Sequence, residues 1–217
     1  MADIRTKPLS VEAVCRLAPV IPVLIVEETV HAAPLARALV AGGLRALEVT
    51  LRTRVALDVI RAMVDAAPDA VVGAGTLLSP EDVRQAKAAG ARFGVSPGAS
   101  ERVLDAAEAA GLPMLPGVAT PSEAMRAAER GLDVLKFFPA EANGGAGVLK
   151  AWASPLPHIR FCPTGGVTPG NAATYLALPN VLCVGGSWLA PPDRLQAGDW
   201  DDVTRLAQEA AALPERG

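Results

Sequence analysis

The chain has little of what most metal and redox chemistry needs. Its 217 residues include three cysteines (Cys15, Cys162, Cys183) and two histidines (His31, His158). An odd set of widely spaced thiols with no paired motif argues against a disulfide framework and a structural zinc site. No metal and no cofactor is expected. Charge is scarce in excess: 20 basic against 23 acidic residues gives a net charge of −3. That balance provides no electrostatic reason to expect nucleic acid or an anionic membrane as partner. No apolar run approaches the roughly 20 residues of a membrane span, and the longest candidates, 22–26 and 181–184, are strand-sized. The first five residues, Met1-Ala2-Asp3-Ile4-Arg5, lack the apolar core of a signal peptide, so a cytoplasmic protein is expected. With 51% hydrophobic and 20% charged residues the composition is that of a globular protein. No break in composition marks a linker, and one domain over 1–217 is expected.

Strand and helix signals alternate along the whole chain. Apolar strand-like runs fall at 21–26, 44–51, 70–76, 91–95, 113–118, 132–138, 159–163 and 181–184. Helical segments lie between them: 33–41, 55–66, a stretch opened by Ser79-Pro80-Glu81-Asp82, one from Ser100 to Ala110, and one opened by Thr120-Pro121-Ser122-Glu123. Further helices are expected at 147–154, from Thr168-Pro169, and at 201–211, the last after a Pro-rich turn. A hydroxyl N-cap followed by proline and acids is a helix start with a mechanism, because it satisfies orphan N–H groups and complements the dipole. Eight such units with short connections point to a parallel sheet, and the eightfold count favours a closed (β/α)8 TIM barrel over a doubly wound sheet. A helix near 11–17 would cap one end.

Lysine is also rare, and that makes one lysine conspicuous. Of Lys7, Lys87, Lys136 and Lys150, only Lys136 is flanked by apolar, β-prone residues, in Asp133-Val134-Leu135-Lys136-Phe137-Phe138-Pro139. Burying an unpaired ammonium costs several kcal/mol. A desolvated neutral amine is the nucleophile that forms Schiff bases with carbonyl compounds. The competing reading is a lysine that snorkels from a strand edge or pairs with a buried carboxylate. Glu48 interrupts the second strand in the same way. It is either a proton carrier for such an intermediate or the structural counter-ion of Lys136. If that strand stays extended, alternation puts Glu48, Thr50 and Arg52 on one face. Arg52 could then grip a carboxylate through its bidentate fork. Thr76, at the end of Gly73-Ala74-Gly75-Thr76, offers a hydroxyl to the same carboxylate or is simply a turn residue.

In a parallel barrel chemistry gathers at the carboxyl ends of the strands. Thr164-Gly165-Gly166 and Gly185-Gly186-Ser187 follow the last two strands and offer backbone N–H groups with no Cβ in the way. That is a phosphate site or a pair of turns. His31 and His158 read as surface residues, Cys162 and Cys183 as small core residues, and Trp152 and Trp188 as packing groups.

These runs have a resemblance. Leu47-Glu48-Val49-Thr50-Leu51-Arg52-Thr53, Gly73-Ala74-Gly75-Thr76, Val95-Ser96-Pro97-Gly98 and Leu115-Pro116-Gly117-Val118-Ala119-Thr120-Pro121 are similar to segments of the 2-keto-3-deoxy-6-phosphogluconate (KDPG) aldolase / 4-hydroxy-2-oxoglutarate (KHG) aldolase family. So are Leu135-Lys136-Phe137-Phe138-Pro139-Ala140-Glu141, Arg160-Phe161-Cys162-Pro163-Thr164-Gly165-Gly166 and Val184-Gly185-Gly186-Ser187-Trp188. The match spans nearly the whole chain in order, and Thr50-Leu51-Arg52-Thr53 favours the gluconate over the galactonate branch.

The resemblance implies a class I, metal-independent aldolase on a TIM barrel, assembled as a homotrimer. It would act on a small 2-keto-3-deoxy sugar acid phosphate and on pyruvate. By position Lys136 would be the Schiff-base lysine and Glu48 the acid/base group. Arg52 and Thr76 would hold the pyruvyl carboxylate, with Pro97 and Phe138 lining the pocket. Thr164, Gly165, Gly166, Gly186 and Ser187 would receive the hydroxyls and phosphate. The rivals are a phosphosugar isomerase or epimerase on the same barrel, and a non-catalytic phospho-metabolite binding protein.

Overall fold

The computed structural model of the chain describes residues 9–214. Lys7 and the leader-free reading of residues 1–5 lie outside them. Eight strands alternate with helices: β1 (Val20–Leu24), β2 (Ala46–Thr50), β3 (Val71–Gly75), β4 (Gly94–Ser96), β5 (Met114–Val118), β6 (Val134–Phe137), β7 (Arg160–Pro163) and β8 (Val184–Gly186). All neighbouring strands are parallel, and β8 lies beside β1. The circle is completed by bridges from Phe161 to Val181 and from Thr164 to Gly185. The (β/α)8 barrel expected from the eightfold pattern is the fold observed.

Two cores follow from the strand alternation. One face of the strands fills the barrel interior with Ile21, Ala46, Val71, Phe93, Val95, Leu115, Val134, Cys162 and Cys183. Val14 and Cys15, from α1 (Val11–Cys15), join that cluster, so the N-terminal helix does cap one end of the barrel. The other face meets the outer helices: α2 (Ala32–Ala41), α3 (Ala56–Ala66), α4 (Pro80–Ala88), α5 (Glu101–Ala109), α6 (Pro121–Glu129), α7 (Gly145–Trp152), α8 (Ala172–Leu176), α9 (Pro192–Ala197) and α10 (Trp200–Ala211). Strands covered on both faces read as continuous apolar runs, which is why their existence was plain from sequence.

The cysteine reading divides. No disulfide joins the three thiols, and all are buried. Yet they are not apart in space: Cys15 and Cys162 are within hydrogen-bonding reach of the Cys183 thiol, and these contacts, with burial, push it well above the ordinary thiol range. Three elements bring together what the chain separates.

Helix starts divide similarly. Ser79 and Thr120 form complete capping boxes with Asp82 and Glu123. Ser100 occupies its expected cap position, but its side chain accepts no capping bond. Glu123 accepts from Ala119 N–H at 2.7 Å and Thr120 N–H at 2.9 Å. The Ala119 bond chiefly holds its carboxyl below the usual glutamate range. A carboxyl depressed in the fold stabilises it above its unfolded pKa and loses that contribution as pH falls through the folded value. Glu123→Ala should therefore cost about 1 kcal/mol at neutral pH, the size of a lost cap. Denaturant titrations should find that difference shrinking once the medium is acid enough to protonate the wild-type carboxyl.

Candidate functional site

In an eight-stranded circle β2 and β6 are four strands apart and so face each other across the barrel. Glu48 lies level with Gly73 of β3, and Lys136 with Gly117 of β5 and Cys162 of β7. Their side chains span the interior and meet: Lys136 Nζ is 3.5 Å from Glu48 Oε1. Both are nearly solvent-free, with side chains 6% and 4% exposed. The Phe138 ring lies beneath the same amine, its centroid 5.1 Å away, within cation–π range. Lys87 and Lys150, by contrast, are exposed, as their surroundings in sequence suggested.

Space for the carboxylate comes from glycine. A Cβ at Gly75 would sit 2.1 Å from Glu48 Oε1, so no larger residue fits beside the pair without moving it. The neighbouring Thr76 has φ +63°, and it is the one non-glycine residue with positive φ among those described. For a β-branched residue this conformation costs of order 1–2 kcal/mol. It places the Thr76 hydroxyl 3.3 Å from Arg52 Nε, which donates to it.

The route to Arg52 differs from the one expected. Strand β2 ends at Thr50, and Leu51 and Arg52 form a turn, so strand alternation does not carry Arg52 to this position. Thr50 itself donates to Leu24 O at 2.9 Å and Thr53 to Val26 O at 2.9 Å. These bonds tie the β2 end to β1 and its turn to the segment just after β1, and the anchored turn presents Arg52.

The other predicted residues also lie at the carboxyl ends of strands. Pro97, after β4, is exposed. Thr164 is buried after β7, its N–H donating to Phe137 O and its carbonyl accepting from Ala140 N–H. Gly165 and Gly166 follow with φ +96° and +79°, conformations that favour glycine. Their two N–H groups donate to no backbone carbonyl among the described residues. Gly186 is buried as the last residue of β8, and Ser187, which follows it, is exposed. A cavity of about 630 Å³ opens beside Ser187, lined also by Val23, Glu27, Glu28 and His31. His31, expected at the surface, is half-buried there against Trp200, with ring centroids 5.9 Å apart. A second cavity, about 520 Å³, lies at the opposite face near Lys87, Arg92 and Glu108 and holds none of the predicted site residues.

The geometry is thus one buried amine beside one buried carboxylate, an arginine and hydroxyl pair near them, and a glycine segment with free N–H groups. Residues 11–206 match the family model described as KDPG and KHG aldolase. The chain belongs to the KDPG and KHG aldolase family. It is 53% identical over 201 residues to the KHG/KDPG aldolase of Escherichia coli K12, covering 93% of this chain and 94% of that one. It is also similar to the crystal structure of the KDPG aldolase of Zymomonas mobilis ZM4 with 3-phosphoglycerate. There the identity is 49% and the TM-score 0.90, over 94% of this chain and 96% of the other. A third relative is the KDPG aldolase of Legionella pneumophila with pyruvate captured as a covalent carbinolamine, 43% identical with a TM-score of 0.90 over 95% and 99% of the two chains.

An aldolase is a carbon–carbon lyase, and membership of this family sets the isomerase and binding-protein rivals aside. No helix among the described residues is long and apolar enough to cross a membrane. Two residues packed near the glycine segment gave little signal in the sequence: Glu141 stands out only within the motif after Lys136, and Tyr175, on α8, not at all.

Proposed function

We propose that this aldolase cleaves KDPG to pyruvate and glyceraldehyde 3-phosphate through a Schiff base on Lys136, and that it also acts on KHG. The observation that carries the reading is the buried Lys136–Glu48 pair, 3.5 Å apart at the centre of the barrel. Free-amine Lys136 attacks the C2 ketone, and Glu48 moves protons as the carbinolamine loses water. The iminium then accepts the electrons of the C3–C4 bond while the C4 hydroxyl gives up its proton. Glyceraldehyde 3-phosphate leaves; the enamine takes a proton at C3, and hydrolysis releases pyruvate and the amine. The iminium is the electron sink, so these steps need no metal.

Arg52 and Thr76 are assigned to the pyruvyl carboxylate, whose charge the guanidinium complements. Phe138 and Pro97 line the pocket. Thr164, Gly165, Gly166, Gly186 and Ser187 are assigned to the hydroxyls and phosphate. The free N–H groups of Gly165 and Gly166 favour that end for the dianion, since Glu27 and Glu28 line the cavity beside Ser187. The carbinolamine of the Legionella relative and the 3-phosphoglycerate with the Zymomonas relative are in keeping with both assignments.

The same reading takes the whole chain as one aldolase domain, cytoplasmic and homotrimeric. Three buried free thiols suit a reducing compartment. Ile25, Val30, Leu78 and Met125 are large apolar side chains exposed at the surface.

Reductive trapping tests the chemistry. Protein incubated with pyruvate and borohydride should gain a stable adduct that peptide mapping places on Lys136. A folded protein that gains none is not a class I aldolase.

A further inference from the structure

Glu141 and Tyr175 have no part in the Schiff-base steps, yet they are bonded to each other beside the glycine segment of the site. Tyr175 is buried on α8 and its hydroxyl donates to Glu141 Oε1. Burial first, and the Glu141 carboxylate second, push the phenol well above its ordinary range, so it remains a proton donor. Glu141 lies four residues beyond the end of β6, and its N–H and side-chain stem engage the glycine segment after β7. Its N–H donates to Gly165 O at 3.0 Å. Its stem covers Gly166 so closely that a Cβ there would lie 2.7 Å from Glu141 Cβ and Cγ. From the other side Asn171 Nδ2 donates to Gly166 O at 3.1 Å.

Both glycine carbonyls are therefore occupied by structural donors, and the two N–H groups are left for a ligand. A glycine pair in left-handed conformations has wide freedom of its own. Fixing it before binding spares the ordering cost that a ligand would otherwise meet. A carboxylate beside a dianion site would be an electrostatic liability unless it had such a task.

We propose that Glu141 and Tyr175 are a positioning pair that fixes Gly165–Gly166 for the phosphate of the substrate, and so sets the preference for phosphorylated over unphosphorylated aldols. This rests on the phosphate assignment made above. The pair acts through the glycine backbone and touches no reacting atom. Its loss should weaken phosphate recognition and leave the chemistry at Lys136 unchanged.

The test compares two reactions of the intact enzyme: cleavage of KDPG, and exchange of the pyruvate methyl protons with deuterated water. The second needs the imine and enamine but no phosphate. Tyr175→Phe should raise KM for KDPG about tenfold, the factor for losing one hydrogen bond to a charged group. Its kcat, and the KM and rate of pyruvate exchange, should stay within about twofold. Glu141→Gln keeps an acceptor for the Tyr175 hydroxyl and should retain a KM near wild type, whereas Glu141→Ala should match Tyr175→Phe. If Tyr175→Phe does not fold, Glu141→Ala carries the test, because Glu141 is an exposed residue outside the core.

Equal changes in both reactions, or no change in KM for KDPG, would overturn the proposal. Wild-type enzyme that exchanges pyruvate protons but does not cleave KDPG would instead remove the phosphate assignment, and the proposal with it.

Discussion

Lys136→Arg should show no detectable aldol cleavage and form no borohydride-stable adduct with pyruvate, while its circular dichroism and thermal transition remain those of a folded barrel. The guanidinium keeps the positive charge beside Glu48 but stays protonated at any working pH and has no lone pair to offer a ketone. Removing the charge is a harsher change. Lys136→Ala leaves a carboxylate 4% exposed without its ion-pair partner, and breaking a buried pair this way costs about 3–5 kcal/mol. Lys136→Met fills most of the lost volume and leaves Glu48 free to take up a proton, so it should recover part of that stability without recovering activity. Two inactive variants with different stabilities would separate the nucleophile from the counter-ion. Cleavage by either one above a small fraction of wild type would sink the Schiff-base assignment.

The barrel was legible because strands covered on both faces are continuously apolar and the helix starts carry their own chemistry. Where boundaries moved, glycine and proline explain why. In the sequence the apolar run of the eighth strand spans 181–184 and stops where Gly185-Gly186 begins. In the structure β8 is Val184–Gly186, paired to β1 through Ile21↔Gly185 and Pro22↔Gly186. Pro191-Pro192 read as a turn, but Pro192 opens α9 at a position where its missing N–H costs nothing. Thr168-Pro169 looked like another helix start. Instead Thr168 N–H donates to Asn171 Oδ1, and α8 begins only at Ala172.

The buried Lys136–Glu48 pair was legible in part. Two charged residues within apolar strands announce burial, but nothing along the chain says that strands two and six face each other at a separation their side chains can span. That follows only from closure at eight strands. Arg52 was placed near Glu48 by an alternation the strand does not sustain; the Thr50 and Thr53 hydroxyls do that work by anchoring the strand end to β1 and the turn to the segment just after β1. Tyr175 was not legible, because one aromatic on a short helix looks like any core residue until its hydroxyl has a partner 34 positions away.

Glu48→Gln should slow KDPG cleavage by about 10²–10⁴-fold, the usual contribution of a positioned acid/base. The amide fills the same volume and its oxygen can still accept a hydrogen bond from Lys136, so the protein should remain folded. The loss should fall on kcat, because the carboxylate serves steps in which protons move and not the binding of the pyruvyl group. Lys136 would still react with pyruvate, so borohydride should trap the adduct on the same residue, only more slowly. Gly75→Ala reaches the same atom from another direction. Its Cβ would lie 2.1 Å from Glu48 Oε1, so the carboxylate must swing away from Lys136 while keeping its charge. A fall in kcat in both variants, larger in Glu48→Gln, would mean that the position of the carboxylate matters as well as its presence. If Glu48→Gln instead turns over near the wild-type rate, Glu48 is only the partner that allows a lysine to be buried, and the protons must travel by water.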